Sequence, residues 1–297
     1  GEEGKGGGGG GWRGFRGTWE RGSGCAGVGL AVGAGGGEVS RDVEHAVEWG
    51  RAHMAVEGVK AIGVDEILHR RASKAHGGAK YVTVVYEIGQ QRKRLLWIGK
   101  DRRDSTLHRF FDWLGREKSE QLEVVSSDMW PAYLKVIRLR ATKAIQVLDR
   151  FHVASMMNKV IDRIRADEAR ELKAKGQESV LKNSRWLFLR REENLSEGQH
   201  EKLAALLKNN LRIVRAYLLK EGFQRFWNFK APRYAAAFLD SWCQRAIRSR
   251  LQPMKRVTKS IRKHRELLLN WFRAKGVSIG AVEGFNNKAK VTVRRSY

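Results

Sequence analysis

Runs of apolar residues divide the first half of the chain into five predicted β-strands. Each run is short, is rich in Val, Ile, Leu or Tyr, and is bounded by polar or glycine residues, a pattern typical of buried strands. The polar segment Gly89–Lys93 separates the second run from the third and predicts a hairpin. The five predicted strands are Ala61–Glu66, Lys80–Ile88, Arg94–Gly99, Leu122–Asp128 and Lys143–Asp149.

Helical spacing follows the third strand and again follows the fourth. Apolar residues recur three to four positions apart from Leu107 to Leu114, and Ser105 or Thr106 is placed to cap that helix. Pro131 suits the first turn of a second helix. Strand, strand, strand, helix, strand, helix, strand is the order of an RNase H-like domain, so we predict an α/β fold with a mixed five-stranded sheet.

Residues 154–275 follow helical periodicity almost throughout. Apolar residues from Leu203 to Leu218 predict one amphipathic helix, and another follows Pro232. A run of charge is usually a solvated face, but here basic residues continue across several helices, which favours a phosphate-binding surface. The candidate contacts to a nucleic-acid backbone are Lys255, Arg256, Lys259, Arg262 and Lys263.

The charge balance indicates the class of partner. Lys and Arg total 58 against 32 for Asp and Glu, and the formal net charge is +26. Such an excess destabilises a compact chain by self-repulsion unless a polyanion offsets it, and nucleic acid is the usual polyanion. Ribosomal-type and membrane-surface proteins share this charge, so it indicates a partner class only.

Length and cysteine content narrow the class further. The 297 residues, 42% of them hydrophobic, suffice for a sizeable core. Since no apolar run reaches the roughly 18 residues that cross a bilayer, we expect no membrane span. Cys25 and Cys243 are too few and too far apart for a disulfide framework or a zinc site, which fits a reducing, intracellular setting.

The N-terminal region differs in composition from the rest. Residues 1–37 are about half glycine, with an unbroken run from Gly6 to Gly11. Glycine loses the most backbone entropy on ordering, so we expect disorder there, or an artefact of where the reading frame was taken to begin. Residues 38–60 carry apolar residues at helical spacing and are interpreted as one helix, the remnant of a DNA-binding region.

Two aspartates stand where predicted strands meet their loops. Asp65 lies near the end of the first strand and Asp128 ends the fourth, while Glu283 begins a basic helical stretch. Two Mg²⁺ ions about 4 Å apart, held by carboxylates, can activate water and stabilise in-line displacement at phosphorus. Glu66 would point to the opposite side of the strand, so we exclude it as a ligand. An acid at a strand end is often only a cap, but we predict that Asp65, Asp128 and Glu283 meet and hold two Mg²⁺ ions, with Mn²⁺ also possible.

Four motifs carry a family resemblance. They are Ile62–Glu66, Ser127–Tyr133, Asp149–Val153 and Glu283–Lys288. In this order they resemble the DDE transposases of bacterial insertion sequences, most closely the ISL3 family. The resemblance covers about residues 40–297, and it implies that Asp65, Asp128 and Glu283 are the first, second and third catalytic acids.

The family also implies a domain plan and an activity. Residues 61–155 would form the first part of an RNase H-like catalytic core, residues 156–275 a large all-α insertion, and residues 276–297 the last core helix. The activity implied is metal-dependent cleavage of DNA at transposon ends and strand transfer into target DNA. Paired ends call for a homodimer or a larger assembly, acting on the nucleoid in the bacterial cytoplasm.

Other residues in the motifs have open roles. Asp149 and His152 match a D-x-x-H signature of several transposase groups. His152 could donate a hydrogen bond near the scissile phosphate, or both residues could brace the end of the fifth strand, which we favour. Asn287 and Lys290 share a helical face with Glu283 and are candidate contacts to the DNA backbone.

The N-terminus departs from the family pattern. Members begin with a cysteine-rich zinc-binding segment and a helix-turn-helix, whereas here a glycine-rich tract carries one cysteine. The chain also ends at Tyr297 inside a continuing motif, so we expect a fragment or a decayed copy. Two alternative hypotheses therefore stay open: a catalytically inactive DNA-binding remnant, and an RNase H-like structure-selective nuclease that cuts without joining.

Overall fold

A mixed five-stranded sheet forms the centre of the α/β part. The computed structural model describes residues 56–70, 78, 80–89 and 93–274. The strands are β1 (Ala61–Arg70), β2 (Lys80–Ile88), β3 (Lys93–Gly99), β4 (Val124–Ser127) and β5 (Ile145–Leu148). Their order across the sheet is β3-β2-β1-β4-β5. The first three strands are antiparallel, and β4 and β5 run parallel to β1.

The predicted succession of strands along the chain is confirmed, but one boundary differs in a way that affects the site. β1 was expected to end at Glu66, and it continues to Arg70. The hairpin with β2 is the cause, because antiparallel pairing runs through Asp65 opposite Val84 and on to the strand end. A strand paired along one edge keeps its ladder even where its other neighbour stops.

Three helices connect β3 to β4 and β4 to β5. They are α1 (Asp104–Leu114), α2 (Arg116–Glu120) and α3 (Pro131–Arg140). Parallel neighbours require such crossover connections, and these helices cover one face of the sheet. Phe110, Phe111 and Tyr133 are fully buried against that face. The core is therefore an RNase H-like α/β unit.

The predicted start of α3 is confirmed and the predicted cap of α1 is wrong. Pro131 opens α3, where its missing N–H costs nothing. In contrast, α1 begins at Asp104, so Ser105 and Thr106 lie inside its first turn. The Thr106 hydroxyl instead donates to the carboxylate of Asp101, which precedes the helix.

A helical region follows β5. Its helices are α4 (Arg150–Ala174), α5 (Arg185–Leu189), α6 (Glu197–Leu207), α7 (Arg212–Gln224), α8 (Pro232–Arg248), α9 (Gln252–Lys263) and α10 (Arg265–Arg273). Short 3₁₀ turns occur at Glu178–Leu181, Glu192–Asn194 and Arg225–Asn228. The helices share one core in which Trp242, Phe223 and Phe226 are buried and their rings are in contact. The prediction of an all-α region is confirmed for these residues.

One helix predicted in this region is two helices. The amphipathic run from Leu203 to Leu218 is interrupted, since α6 ends at Leu207 and α7 begins at Arg212. Asparagine side chains compete with helical backbone bonds, and the break contains two of them. Asn209 donates through Nδ2 to the carbonyl of Ala205, 2.9 Å away, at the end of α6.

A buried carboxylate fixes the start of α7. Glu168 of α4 accepts hydrogen bonds from the backbone N–H groups of Arg212, at 2.7 Å, and Ile213, at 2.8 Å. These are first-turn donors, which have no partner within their own helix. Only 7% of Glu168 is exposed, so these bonds lie inside the packed helices.

The helical region is joined to the core at both of its ends. α4 starts directly after β5 and continues through residue 155, so the predicted boundary between residues 155 and 156 lies within one helix. At the other end, Asn270 of α10 donates through Nδ2 to the carbonyl of Gln146 in β5, at 2.8 Å. Trp271 and Ala274 pack on the second face of the sheet, beside Val147.

Several predictions fall outside the described residues. They concern the glycine-rich tract, most of the helix predicted for residues 38–60, and the last helix with Glu283, Asn287 and Lys290. Residues 56–60 are described and form a turn at Gly58, whose φ of +74° suits glycine. No helix in the described part of the chain is long and apolar enough to cross a membrane.

Candidate active site

The register of the parallel strands brings three aspartates to one level of the sheet. The last level shared by β1, β4 and β5 consists of Val64, Ser127 and Leu148. The next residue in each segment is an aspartate: Asp65, Asp128 and Asp149. Since parallel strands are in register here, the three acids follow the same edge of the parallel half of the sheet.

The sequence predicted that Asp65 lies near a strand end, but it lies inside β1. It is the fifth residue of the ten in β1. The strand that ends is β4, whose pairing with β1 stops at Val64. Beyond that point one edge of β1 has lost its neighbour, so an open edge begins beside Asp65 although its backbone stays in the sheet.

Asp128 lies in the turn between β4 and α3. Its Oδ1 accepts a hydrogen bond from the backbone N–H of Trp130, at 2.8 Å. Burial raises the pKa of Asp128 to about 6. The Trp130 N–H and the charge of His152 act in the opposite direction, while the carboxylates of Glu66 and Asp65 raise this pKa further.

The start of α4 places a histidine against the first acid. Asp149 caps this helix by accepting the N–H of Phe151, at 2.9 Å. Within the first turn of the helix, Nε2 of His152 lies 3.2 Å from Oδ1 of Asp65 and 4.0 Å from Oδ2 of Asp149. The D-x-x-H spacing thus combines a helix cap with a partner for Asp65.

The charge of His152 follows from these neighbours. Burial alone would lower its pKa, but the hydrogen bond with Asp65 and the charges of Asp65, Asp149 and Asp128 raise the pKa to about 9. His152 is therefore an imidazolium at neutral pH. It offsets part of the negative charge at this edge of the sheet.

An arginine that the sequence did not single out links the two acid-bearing segments. Arg102 pairs with Glu66 at 3.3 Å, and its guanidinium lies over the rings of Tyr81, at 4.1 Å, and Trp130, at 4.7 Å. Its carbonyl accepts the indole N–H of Trp130, at 3.2 Å. The contacts of Arg102 with Glu66 and Trp130 tie β1 to the turn of Asp128.

The donor chemistry of these acids suits a hard divalent cation. Within the described residues, no three His, Cys, Asp or Glu side chains form a group that could hold a metal ion. Asp65 and Asp128 supply two carboxylates, and the third predicted acid, Glu283, lies outside those residues. Burial of Asp128 beside Asp65 disfavours its charged form, and a cation bound between them would offset that cost.

The predicted basic residues lie on a helix that reaches this site. Arg256, Lys259, Arg262 and Lys263 are exposed on α9, and Lys255 is partly exposed. The opposite face of this helix is buried through Met254, Val257 and Ile261. Oγ of Ser260 lies 3.5 Å from Sδ of Met129, the residue after Asp128. The helix therefore reaches the turn that carries the second acid.

Comparisons with known proteins indicate the family to which the chain is similar. The family model for ISL3-type DDE proteins, described as "Transposase", matches residues 62–297. The transposase for insertion sequence element IS1001 of Bordetella parapertussis is 32% identical over 225 residues, 75% of this chain and 54% of the relative. The transposase for insertion sequence element IS1557 of Mycobacterium tuberculosis is 30% identical over 261 residues, 80% of this chain and 56% of the relative. The chain spans about half the length of these curated relatives.

Proposed function

The chain belongs to the ISL3 family of DDE transposases, and from that membership we propose that it cleaves DNA at transposon ends and joins the freed strand to target DNA. The observation that carries the proposal is the placement of Asp65 and Asp128 at one level beside an open strand edge. Glu283 lies within the residues that match the family and is proposed as the third acid.

The proposed reaction is two phosphoryl transfers at one site. A water oxygen attacks phosphorus at the transposon end, and the P–O3′ bond breaks to leave a 3′-hydroxyl. That hydroxyl then attacks a phosphodiester of the target, whose own P–O3′ bond breaks. When bound, two divalent cations, Mg²⁺ or Mn²⁺, would activate the attacking oxygen and stabilise the developing charge. No covalent bond between protein and DNA is needed.

The side chains of this chain have distinct parts in the proposal. Asp65, Asp128 and Glu283 provide carboxylate oxygens to the cations. His152, held by Asp65 and carrying a proton at neutral pH, would fix the orientation of that acid and add positive charge near the scissile phosphate. Asp149 holds His152 in place by starting α4.

The DNA-binding part of the proposal rests on exposed cations. Lys255, Arg256, Lys259, Arg262 and Lys263 of α9 would contact phosphates, joined by Asn287 and Lys290 of the predicted last helix. Binding of this kind weakens steeply as salt increases. We also propose that two copies or more assemble on paired transposon ends.

A nicking and joining assay tests the catalytic claim. DNA that carries the ends of the element is incubated with Mg²⁺ and the chain, its Asp128→Asn variant or the control Asp112→Asn, which changes an exposed acid on α1. We expect Asp128→Asn to abolish cleavage and joining without loss of DNA binding, and Asp112→Asn to change neither. Binding without cleavage by all three proteins would favour the inactive remnant. Cleavage without joining would favour the nuclease.

A further inference from the structure

A basic groove lies between the catalytic core and the helical region. Its walls are α3 on one side and the junction of α9 with α10 on the other, and its volume is about 760 Å³. Near its start, Pro131 follows the turn of Asp128, and Ser260 of α9 contacts Met129 in that turn. The groove therefore leads away from the proposed active site along α3.

The charges in the groove are largely uncompensated. Lys135 and Arg138 are exposed on α3, and Lys263 is exposed at the end of α9. No carboxylate of the described residues pairs with any of these three side chains within 4 Å. The acid that lines the groove, Glu266, is already paired with Arg265, at 2.8 Å. The groove thus presents a local excess of positive charge to solvent.

The lining distinguishes between two forms of nucleic acid. Single strands are usually held by aromatic side chains that stack on bases, together with cations that follow the backbone. No Phe, Tyr or Trp occurs among the described residues that line this groove. Its apolar lining is aliphatic and includes Leu139, which is 57% exposed. Cations beside aliphatic side chains suit the phosphates of a duplex, whose bases are already stacked.

We propose that this groove binds the phosphate backbone of double-stranded DNA that flanks the scissile position. Lys135, Arg138 and Lys263 would contact phosphates, and the track is complete only when α3 and the helical region are both in place. The inference rests on the proposed function for the nature of the ligand. It adds core helix α3 to the DNA-binding surface predicted on α9.

The test uses the salt dependence of binding, which counts phosphate contacts. A 30-base-pair duplex without transposon ends serves as the probe, and fluorescence anisotropy gives its affinity at several NaCl concentrations. Affinity falls as salt increases, so the slope of log affinity against log salt is negative. In the Lys135→Gln/Arg138→Gln double variant its magnitude should be smaller by about 2. Lys175→Gln/Lys182→Gln removes the same charge from two exposed positions beyond the C-terminal end of α4, and should leave the slope within about 0.5 of the unmodified chain.

A gain of charge gives an independent check. Leu139→Lys adds a cation at an exposed position of the groove and should increase the magnitude of the slope by about 1. An unchanged slope in the groove double variant, or an equal fall in both double variants, would overturn the proposal. Failure of the catalytic claim is separable, because Asp128→Asn should abolish cleavage and keep the full salt slope.

Discussion

The contact between Glu168 and α7 leads to a stability prediction with a matched control. Glu168→Gln replaces one carboxylate oxygen by an NH₂ group, which cannot accept the N–H of Arg212 or Ile213. One charge-assisted hydrogen bond is lost and a buried N–H is left without a partner. A bond to a charged group contributes about 1.5–3 kcal/mol, so we expect the free energy of unfolding to fall by about 3 kcal/mol.

Glu171→Gln is the control, since it lies on the same helix and pairs with the side chain of Arg212, at 2.7 Å. Its side chain is 57% exposed, and an exposed ion pair contributes at most about 1 kcal/mol. Urea unfolding followed by tryptophan fluorescence compares the two variants with the unmodified chain. Losses that agree within about 0.5 kcal/mol would refute a special role for the buried carboxylate.

Three further predictions concern the site. Lowering the pH from 7 to 5 should weaken Mn²⁺ binding about ten-fold, because protons compete for Asp128 below its pKa of about 6; a calorimetric titration with no pH dependence would contradict this. In the metal-free chain, the pKa of His152 should be about 9 by NMR and should fall in Asp65→Asn; an unchanged value would show that Asp65 does not stabilise the protonated imidazole. Arg102→Met should slow DNA cleavage about ten-fold by loosening the turn of Asp128, whereas Arg103→Met, at an exposed side chain, should not; equal rates would refute the positioning role.

Much of the core could be predicted because residues close together in the sequence determine its strands and helices. The five apolar runs form strands in the predicted succession along the chain, and Pro131 opens α3 as expected. Asp128 follows β4 because the apolar run ends before it. In each case the deciding residues are adjacent in sequence, so periodicity and turn chemistry are sufficient.

The remaining features depend on partners that are distant in sequence. β1 extends past Asp65 because β2 pairs with it. The sequence of either strand alone does not indicate how far this pairing continues. The contact of His152 with Asp65 depends on the register of β1, β4 and β5 together. The leucine pattern continues in phase across the break between α6 and α7, whereas the start of α7 is set by Glu168, more than forty residues earlier in the chain.

The unbroken length of α4 has a mechanical consequence. The helix has 25 residues, so it is about 37 Å long, and it begins with the turn that holds His152 against Asp65. An α-helix is stiff along its axis, and this one is also packed within the helical region. A tilt of that region would move the first turn of α4, and His152 with it. The position of the helical region and the contact of His152 with Asp65 are thus coupled through one rigid helix.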